Sequence, residues 1–334
     1  MENNMYLHRK KKMIFGSPSN YGFSDAIRSE LSLLGYEIID FSELNTAFQY
    51  PSLFHRIYNV YRKIVFSDKS YKAKLKQRYI RQNLCDMLNK IENVDFSFII
   101  RPDLFPLEFI SQLSTKSNYT IAYQWDGIQR YPDIIKYIPL FDRFLAFEDD
   151  NTSKNISICT NFYLEKIISD QKPTIENKAF LLATFQKNRI KETLALKQIL
   201  DKIKFNNQFI LYCNEKEYRN TLKDNGISII KKPISYSDSL KMTLQSTVLI
   251  DIHNPIHNGL SFRIFEALGY EKKLITTNKE IAKYDFYDPR NILIWENQCA
   301  DEIDAFCNSA YHQIDSRIKE KYALENWIKH YSSL

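Results

Sequence analysis

The sequence predicts an α/β protein built from two Rossmann-like domains, and three observations lead to this prediction. The chain has 334 residues, which is the length of two domains of about 150 residues each. It opens with a strand, a loop, a helix and a second strand, the order typical of a doubly wound parallel sheet. A polar connector at 169–174 then interrupts the pattern, and a second set of strands and helices follows it.

In the first half, short apolar runs predict the strands. The first is at 12–16, followed by a polar loop at 17–22 and a helix with apolar residues at positions 23, 27, 31 and 34 that ends at Gly35. Further strands are predicted at 36–40, 95–100, 119–123 and 143–147. The last three each end in a polar cluster. Because ligands of open α/β sheets bind at the carboxyl ends of strands, we expect these clusters to face a site.

In the second half, the same pattern predicts six strands, two clear helices and a terminal helix. The strands are at 178–183, 208–213, 227–231, 248–252, 273–277 and 291–295, and the helices at 190–204 and 236–245. The terminal helix is predicted at 314–331, with Trp327 on its apolar face. The expected domains are therefore 1–168 and 169–315, with a final segment, 316–334, that can pack back on the first domain.

Composition and charge narrow the class of protein. The net charge is +6, and the five cysteines have neither metal-ligand spacing nor the even number of a disulfide framework, so we expect free thiols in the cytoplasm. The basic N-terminus is not followed by an apolar signal core, and no run approaches the roughly 20 apolar residues of a membrane span. We therefore expect a cytoplasmic protein, whose contact with a membrane would be peripheral.

The segment 251–269 carries the clearest functional signal. A buried strand leads into a polar loop, and a helix begins near Leu260 or Ser261. Free N–H groups and the positive end of the helix dipole at such a point bind anions such as diphosphate, and Gly259 allows close backbone approach. Arg263 and Glu266 share one helix face, where they could bind phosphate oxygens and ribose hydroxyls. The alternative is an ion pair on a solvated face.

This region also resembles a known family. The motifs GLSFRIFEALG, KKLITTN and YDFY within 259–287 resemble the C-terminal signature of bacterial lipopolysaccharide and capsule biosynthesis glycosyltransferases, and the resemblance extends to 123–126, 141–143 and 180–189. It implies the GT-B fold, in which two Rossmann-like domains face a cleft and the C-terminal domain holds the nucleotide-sugar. Glu266 then matches the glutamate that binds the donor ribose. Asn258 replaces the earlier glutamate of many retaining enzymes, which argues against a retaining mechanism of that type.

Further site residues follow from this interpretation. Lys187 and Arg189 are candidates to bind the donor diphosphate and to stabilise the leaving group, the alternative being two surface cations at a helix start. An inverting transfer needs a base for the acceptor hydroxyl, and Asp126 is the first candidate because it follows a strand beside Trp125, which could stack on a sugar. The alternative is that Asp126 and Gly127 form a simple turn. Weaker candidates for the base are Asp103 and Asp142.

The remaining cleft residues are predicted from the first loop and from the 251–269 segment. Ser17, Tyr21 and Gly22 are expected to shape the cleft, together with His257. His253 lies four residues before His257, but Pro255 between them is incompatible with a helical metal pair. The sequence therefore predicts neither a metal nor a cofactor, with the nucleotide-sugar as a substrate.

A basic stretch, Arg56 to Arg81, contains nine Lys and Arg residues against the single acid Asp68, with five Tyr and Phe residues among them. It fits an anionic membrane face, nucleic acid or simply a solvated pair of helices. Membrane contact suits a lipid-linked acceptor, and we do not expect a nucleic-acid partner. The predicted function is glycosyl transfer from a nucleotide-sugar to a growing surface polysaccharide or lipid-linked glycan. The alternatives are a non-catalytic carbohydrate- or nucleotide-binding protein on the same fold and, more distantly, a nucleic-acid-binding protein.

Overall fold

A computed structural model provides the structure of the protein. It describes residues 10–18, 21–42, 50–65, 70–128, 131–147, 155–168, 173–256, 259–296 and 298–332, without the side chains of residues 64, 65, 70 and 73. The predicted connector at 169–174 lies mostly outside these residues. The chain forms two compact units: the described residues 10–18, 35–146 and 155–157 belong to the first, and 21–34, 147 and 158–332 to the second. These units are defined by contacts and are not continuous in the chain. The predicted domain boundaries at 168 and 315 therefore stay predictions.

The first unit contains a six-stranded sheet in the order β2-β1-β3-β4-β5-β6. The ladders that join β2, β1, β3, β4 and β5 are parallel. All residues of β3 and β4 are buried, because helices cover both faces of a parallel sheet. The strands are β1 (Lys12–Gly16), β2 (Glu37–Asp40), β3 (Phe96–Ile100), β4 (Thr120–Gln124), β5 (Arg143–Ala146) and β6 (Ile156–Ile158).

The second unit contains a fully parallel six-stranded sheet in the order β12-β11-β10-β7-β8-β9. Alternate residues of β10 enter two separate hydrophobic clusters, Val248 and Ile250 on one face and Leu249 on the other. The core of this unit therefore lies on both faces of the sheet. The strands are β7 (Glu176–Thr184), β8 (Asn207–Tyr212), β9 (Ser228–Ile230), β10 (Ser246–Asp251), β11 (Lys273–Thr276) and β12 (Ile292–Ile294).

The α-helices connect the strands and extend the C-terminus. They are α1 (Phe23–Leu33), α2 (Leu53–Val65), α3 (Ser70–Lys90), α4 (Leu107–Gln112), α5 (Ile190–Lys202), α6 (Arg219–Asp224), α7 (Tyr236–Gln245), α8 (Phe262–Gly269), α9 (Ala300–Asn308), α10 (Ser316–Glu320) and α11 (Leu324–Ser332). Within the part of the chain that the structure describes, none of these helices combines the length and hydrophobicity that crossing a membrane requires.

The prediction of one terminal helix at 314–331 is wrong, because the chain forms two helices there, α10 and α11. Between them, Tyr163 donates its backbone N–H to the carbonyl of Tyr322 at 3.0 Å and accepts from the N–H of Leu324 at 3.0 Å. This bridge uses backbone groups that a continuous helix would need. Trp327 does lie on a buried face, where its indole N–H donates to the carbonyl of Thr160 at 2.8 Å.

Helix α1 is tied to the second unit by a buried carboxylate. Glu30 is 1% exposed and accepts three backbone N–H groups, those of Glu165, Lys166 and Ile167, at 2.7–2.8 Å. These amides lie at the start of the short 3-10 helix Lys166–Ile168, where backbone N–H groups need acceptors outside the helix. One side chain therefore satisfies three backbone donors that lie 135–137 residues away in the chain.

Replacing Glu30 with Ala should lower the free energy of unfolding by about 3 kcal/mol, because hydrogen bonds to a charged group are worth about 1.5–3 kcal/mol each and are not additive. Urea denaturation would measure the change. The matched control is Asp25→Ala, since Asp25 is an exposed carboxylate of the same helix and its loss should cost about 0.5 kcal/mol or less. Equal stability of the two variants would contradict the role assigned to Glu30.

Candidate functional site

The strand order of the second sheet locates a crevice. From β9 to β12 the order corresponds to 3-2-1-4-5-6 of the dinucleotide-binding fold, and the strand order reverses between β7 and β10. Ligands in such sheets bind outside the carboxyl ends of the strands at this reversal. A cavity of about 430 Å³ lies there, lined by the end of β7, the end of β10 and the start of α8.

Four of the predicted donor-binding residues line this one cavity, namely Arg189, Ser261, Arg263 and Glu266. They come from two segments that are far apart in sequence, the one after β7 and the start of α8, so the fold brings them together. The lining also includes residues that the sequence reasoning missed as site residues: Phe23, Tyr236 and Asp251. For Asp251 a signal existed, its place at the end of a buried strand, whereas the positions of Phe23 and Tyr236 depend on tertiary packing.

Asp251 organises the loop before α8. Its carboxylate accepts from the Ser261 hydroxyl at 2.7 Å and from the Thr276 hydroxyl at 2.9 Å. Ser261 is the N-cap residue of α8, yet its side chain makes no cap hydrogen bond because it is directed to Asp251. The helix was predicted to start near Leu260 or Ser261, and it starts at Phe262, one or two residues later. Asp251 thus fixes the position of the helix end that borders the cavity.

Arg263 and Glu266 form a buried network one turn into α8. The Arg263 guanidinium lies 3.5 Å from a Glu266 carboxylate oxygen and donates to the Thr243 hydroxyl at 2.8 Å. The Tyr236 hydroxyl donates to the other Glu266 oxygen at 3.1 Å. The side chains of Arg263 and Glu266 are only 14% and 10% exposed, so the ion pair lies in the cavity wall and not on a solvated helix face.

Burial controls the protonation of this network. It raises the pKa of Glu266 above its ordinary value, against the opposing effects of Arg263 and of the Tyr236 hydroxyl. Burial also raises the pKa of Tyr236 well above the usual range, so this phenol remains a hydrogen-bond donor. A ligand that donates hydroxyl groups to Glu266 would favour the ionised carboxylate.

The two predicted diphosphate cations have different surroundings. The Arg189 side chain folds back over the sheet edge, donating to the carbonyls of Ile252 at 3.0 Å and Thr184 at 3.2 Å, and it lines the cavity. Its burial lowers its pKa. Lys187 is exposed, lies 6.0 Å above the ring of Tyr218 and is not among the cavity residues. The structure therefore brings Arg189, but not Lys187, to the other candidate residues.

The loop before α8 is held tightly against neighbouring chain segments. A Cβ on Gly259 would lie 2.2 Å from the Phe147 ring. A glycine is therefore needed at this position for the backbone to pass so close to Phe147. Leu260 is 2% exposed within the core, and its carbonyl accepts from the Asn161 amide at 2.7 Å. The Leu260 side chain therefore does not line the cavity. His257, like Asn258, lies outside the described residues.

The residues predicted to shape the acceptor side from the first loop belong to different units. Ser17 is fully buried at the end of β1 in the first unit. Tyr21 and Gly22, both with positive φ, begin α1 in the second unit, and the Tyr21 carbonyl accepts from the Tyr236 N–H at 2.7 Å. Tyr21 and Gly22 are thus next to the candidate donor site. There the ring centre of Phe23 lies 4.7 Å from that of Tyr236 and 4.9 Å from that of Phe262.

Asp126 belongs to a charged cluster at the carboxyl edge of the first sheet. Arg101 follows β3 and donates to Asp126 and, at 2.8 and 2.7 Å, to both carboxylate oxygens of Asp103. Its guanidinium lies 4.1 Å from the centre of the Tyr131 ring. Asp126 is therefore ion-paired with Arg101 and not simply half-buried beside Trp125. The sequence did not reveal this ion pair. Its side chain is 26% exposed, so solvent and ligands can still reach it.

Of the two weaker candidates for the base, Asp103 is paired with Arg101 and Asp142 has a structural role. Asp142 accepts from both the backbone N–H and the hydroxyl of Thr120, at 2.7 and 2.8 Å, and so joins β4 to the start of β5. Across the described ranges, no group of three His, Cys, Asp or Glu side chains converges in a way that could hold a metal ion.

Several solved structures have the same fold over nearly the whole chain. An α,α-trehalose 6-phosphate synthase from Burkholderia multivorans has a TM-score of 0.54 at 10% identity, covering 98% of this chain and 96% of its own. AviGT4, a glycosyltransferase involved in avilamycin A biosynthesis, has a TM-score of 0.53 at 7% identity, covering 97% of this chain and 99% of its own. A sucrose-phosphate synthase from Thermosynechococcus elongatus has a TM-score of 0.52 at 9% identity, covering 96% of this chain and 97% of its own. No family model and no curated protein matches the sequence. The prediction of two Rossmann-like domains with the GT-B fold is confirmed.

Proposed function

We propose that the protein is a glycosyltransferase that uses a nucleotide-activated sugar. The observation that supports this most is the convergence of Arg189, Arg263, Glu266 and the N-terminal end of α8 on one cavity at the strand-order reversal of the second sheet. Two cations and a helix end suit a diphosphate, and a buried carboxylate suits a pair of ribose hydroxyls. The glycosyltransferases that share the fold are consistent with this use of the site.

In the proposed complex, the donor diphosphate lies at the start of α8 and the ribose at Glu266. Cleavage of the sugar–phosphate bond leaves negative charge on the nucleoside diphosphate. Arg263 and Arg189, which line the cavity, would stabilise that charge, which is larger in the transition state than in the bound donor. Lys187, exposed on the same loop, would assist only if its side chain turned toward the cavity.

Asp126 is the proposed base of an inverting transfer. Its carboxylate takes the proton of an acceptor hydroxyl, the hydroxyl oxygen bonds to the anomeric carbon, and the bond from that carbon to the diphosphate oxygen breaks. Arg101 donates to one carboxylate oxygen of Asp126, and the other oxygen accepts no hydrogen bond from the described residues. Arg101 thereby orients the carboxylate while one oxygen stays available. If Arg101 instead keeps Asp126 from acting, the protein would be a non-catalytic nucleotide- or carbohydrate-binding protein, the second candidate.

The proposed acceptor is a growing surface polysaccharide or a lipid-linked glycan, with the protein in the cytoplasm at the inner face of the membrane. The motif resemblance within 259–287 and the basic stretch of α2 and α3 support this finer assignment. The basic residues would hold the enzyme near the anionic surface at which a lipid-linked acceptor lies.

A thermal-shift panel of nucleoside diphosphates and nucleotide-sugars tests the donor site. A ligand at about 100 times its Kd adds about 2.7 kcal/mol of stability, which such a panel detects. Because Arg189 and Arg263 can neutralise the diphosphate, we expect stabilisation without added divalent metal and in the presence of a chelator. Stabilisation that requires magnesium or manganese would contradict metal-free binding. No response to any nucleotide would contradict the proposed function, and hydrolysis or transfer of the sugar would distinguish the enzyme from a binding protein.

A further inference from the structure

Helix α2 has its polar face turned toward the protein. Its least exposed described residues are His55, Asn59 and Arg62, which are spaced four and three positions apart and so share one face. His55 Nδ1 lies 2.7 Å from the Tyr71 hydroxyl, the Asn59 amide donates to the Tyr50 hydroxyl at 3.1 Å, and the Arg62 guanidinium is 5.6 Å from the centre of the Tyr71 ring. Polar contacts therefore fix the orientation of α2.

The opposite face of α2 is apolar and exposed. Leu53, Phe54, Ile57 and Val60 are 74%, 68%, 67% and 49% exposed, and Tyr61 is 49% exposed. Single exposed apolar residues are common, but a continuous row on one helix indicates a surface that contacts something apolar. A helix that packs on its own domain normally buries this face instead. The inverted orientation of α2 therefore leaves its apolar face open to an external apolar partner.

The charges of α2 and α3 limit what the partner can be. Residues 50–65 and 70–81 contain no acidic residue. The described cations of α2 and α3 within the basic stretch are Arg56, Arg62, Lys63, Lys72, Lys74, Lys76, Arg78 and Arg81. The partner must combine an apolar interior with a negatively charged surface.

We propose that α2 lies in the plane of an anionic lipid bilayer, with the side chains of Leu53, Phe54 and Ile57 inserted among the acyl chains and Lys and Arg residues of α2 and α3 on the lipid phosphates. A bilayer supplies both features that this surface requires. A second copy of the chain would bring two strongly basic surfaces together, which is unfavourable. Nucleic acid would use the cations and aromatic rings, but it offers no apolar environment to Leu53 and Ile57.

Vesicle sedimentation tests the apolar contribution. The full-length protein should bind vesicles made of equal parts phosphatidylcholine and phosphatidylglycerol, and should bind pure phosphatidylcholine vesicles much more weakly. The triple variant Leu53→Ser, Phe54→Ser, Ile57→Ser should bind the anionic vesicles at least about 10-fold more weakly, since each buried side chain contributes to binding. The matched control replaces three residues of similar exposure, Leu33, Ile135 and Ile175, with Ser and should bind like the wild type.

Charge reversal tests the electrostatic contribution. Changing Lys72, Lys74, Lys76 and Arg78 to Glu should reduce anionic-vesicle binding by about 100-fold or more at low salt. The control makes the same change in net charge on the second unit, at the exposed Lys216, Lys223, Lys231 and Lys232, and should lose far less. Moderate salt should weaken wild-type binding, because exposed charges are screened.

Insertion itself has a separate readout. An Ile57→Trp variant should show a blue-shifted emission on anionic vesicles and quenching by brominated acyl chains. Binding without any such change would overturn insertion, and equal binding by the wild type and both sets of variants would overturn the docking surface altogether. The proposal would also be overturned if the wild type bound no vesicles and the triple variant lost self-association or RNA binding. That result would assign α2 to another partner. The nucleotide thermal shift should be the same in all these variants, so failure here is distinguishable from failure of the proposed function.

Discussion

Replacing Asp126 with Asn is expected to reduce the rate of sugar transfer by roughly 10²–10⁴, the usual contribution of a general base. The amide keeps the shape of the carboxylate and a hydrogen-bond contact with Arg101, but it cannot take the proton of the acceptor hydroxyl. Nucleotide affinity should stay within about threefold, because Asp126 lies in the first unit and the proposed donor residues lie in the second. Turnover with a nucleotide-sugar and a glycan acceptor, alongside calorimetric nucleotide binding, measures both quantities.

Asp133→Asn is the matched control for this experiment. Asp133 is an aspartate of the same unit, 82% exposed and paired with Lys136, and its replacement should leave turnover unchanged. Asp103→Asn is informative in a different way, since it removes the charge and one acceptor oxygen of the second partner of Arg101 and should disturb the orientation of Asp126. Near-wild-type turnover of Asp126→Asn would mean that another group is the base.

Replacing Glu266 with Ala is expected to weaken nucleotide binding by about 10- to 100-fold. The proposed ribose hydroxyls donate to this carboxylate, and hydrogen bonds to a charged group are worth about 1.5–3 kcal/mol. The variant also leaves Arg263 without its ion-pair partner, so Glu266→Gln, which keeps the volume of the side chain, should be measured beside it. The control is Glu280→Ala, an exposed carboxylate of the same unit paired with Lys283.

The effect of pH separates a binding role of Glu266 from a packing role. Because burial raises the pKa of Glu266, the carboxylate becomes protonated on acidification at a higher pH than an exposed glutamate would. If the ribose binds the ionised form, wild-type nucleotide affinity should fall as the pH drops through this raised pKa. Glu266→Gln should lack that dependence. Normal nucleotide binding by Glu266→Ala would refute the assignment of the donor ribose to this residue.

Most of the fold could be predicted from the sequence because parallel strands are short apolar runs between polar loops. The predicted strand at 12–16 and helix at 236–245 agree with β1 and α7 residue for residue, and most other strands differ by one or two positions. The terminal helix was not predicted correctly because its interruption comes from a distant residue, Tyr163. Local periodicity carries no information about such a contact.

The candidate site was predictable in its residue types but not in its contacts. Arg263 and Glu266 could be placed on one helix face from their spacing alone. Other contacts depend on how separate segments of the chain meet. These are the hydrogen bond of Tyr236 to Glu266, the different surroundings of Lys187 and Arg189, and the ion pair of Arg101 with Asp126. The outward apolar face of α2 was also hidden, because the sequence shows that a helix is amphipathic but not which face is turned toward the protein.

The membership of α1 in the second unit has a consequence for synthesis of the chain on the ribosome. Glu30 emerges 135 residues before Glu165, the first of its backbone partners. At about 5–20 residues per second, this interval is about 7–27 s. During it, Ile27 and Leu31, which are fully buried in the finished protein, lack the surface that covers them and become candidates for chaperone binding. A polypeptide that starts at residue 169 would lack α1 entirely, together with Phe23 from the wall of the cavity.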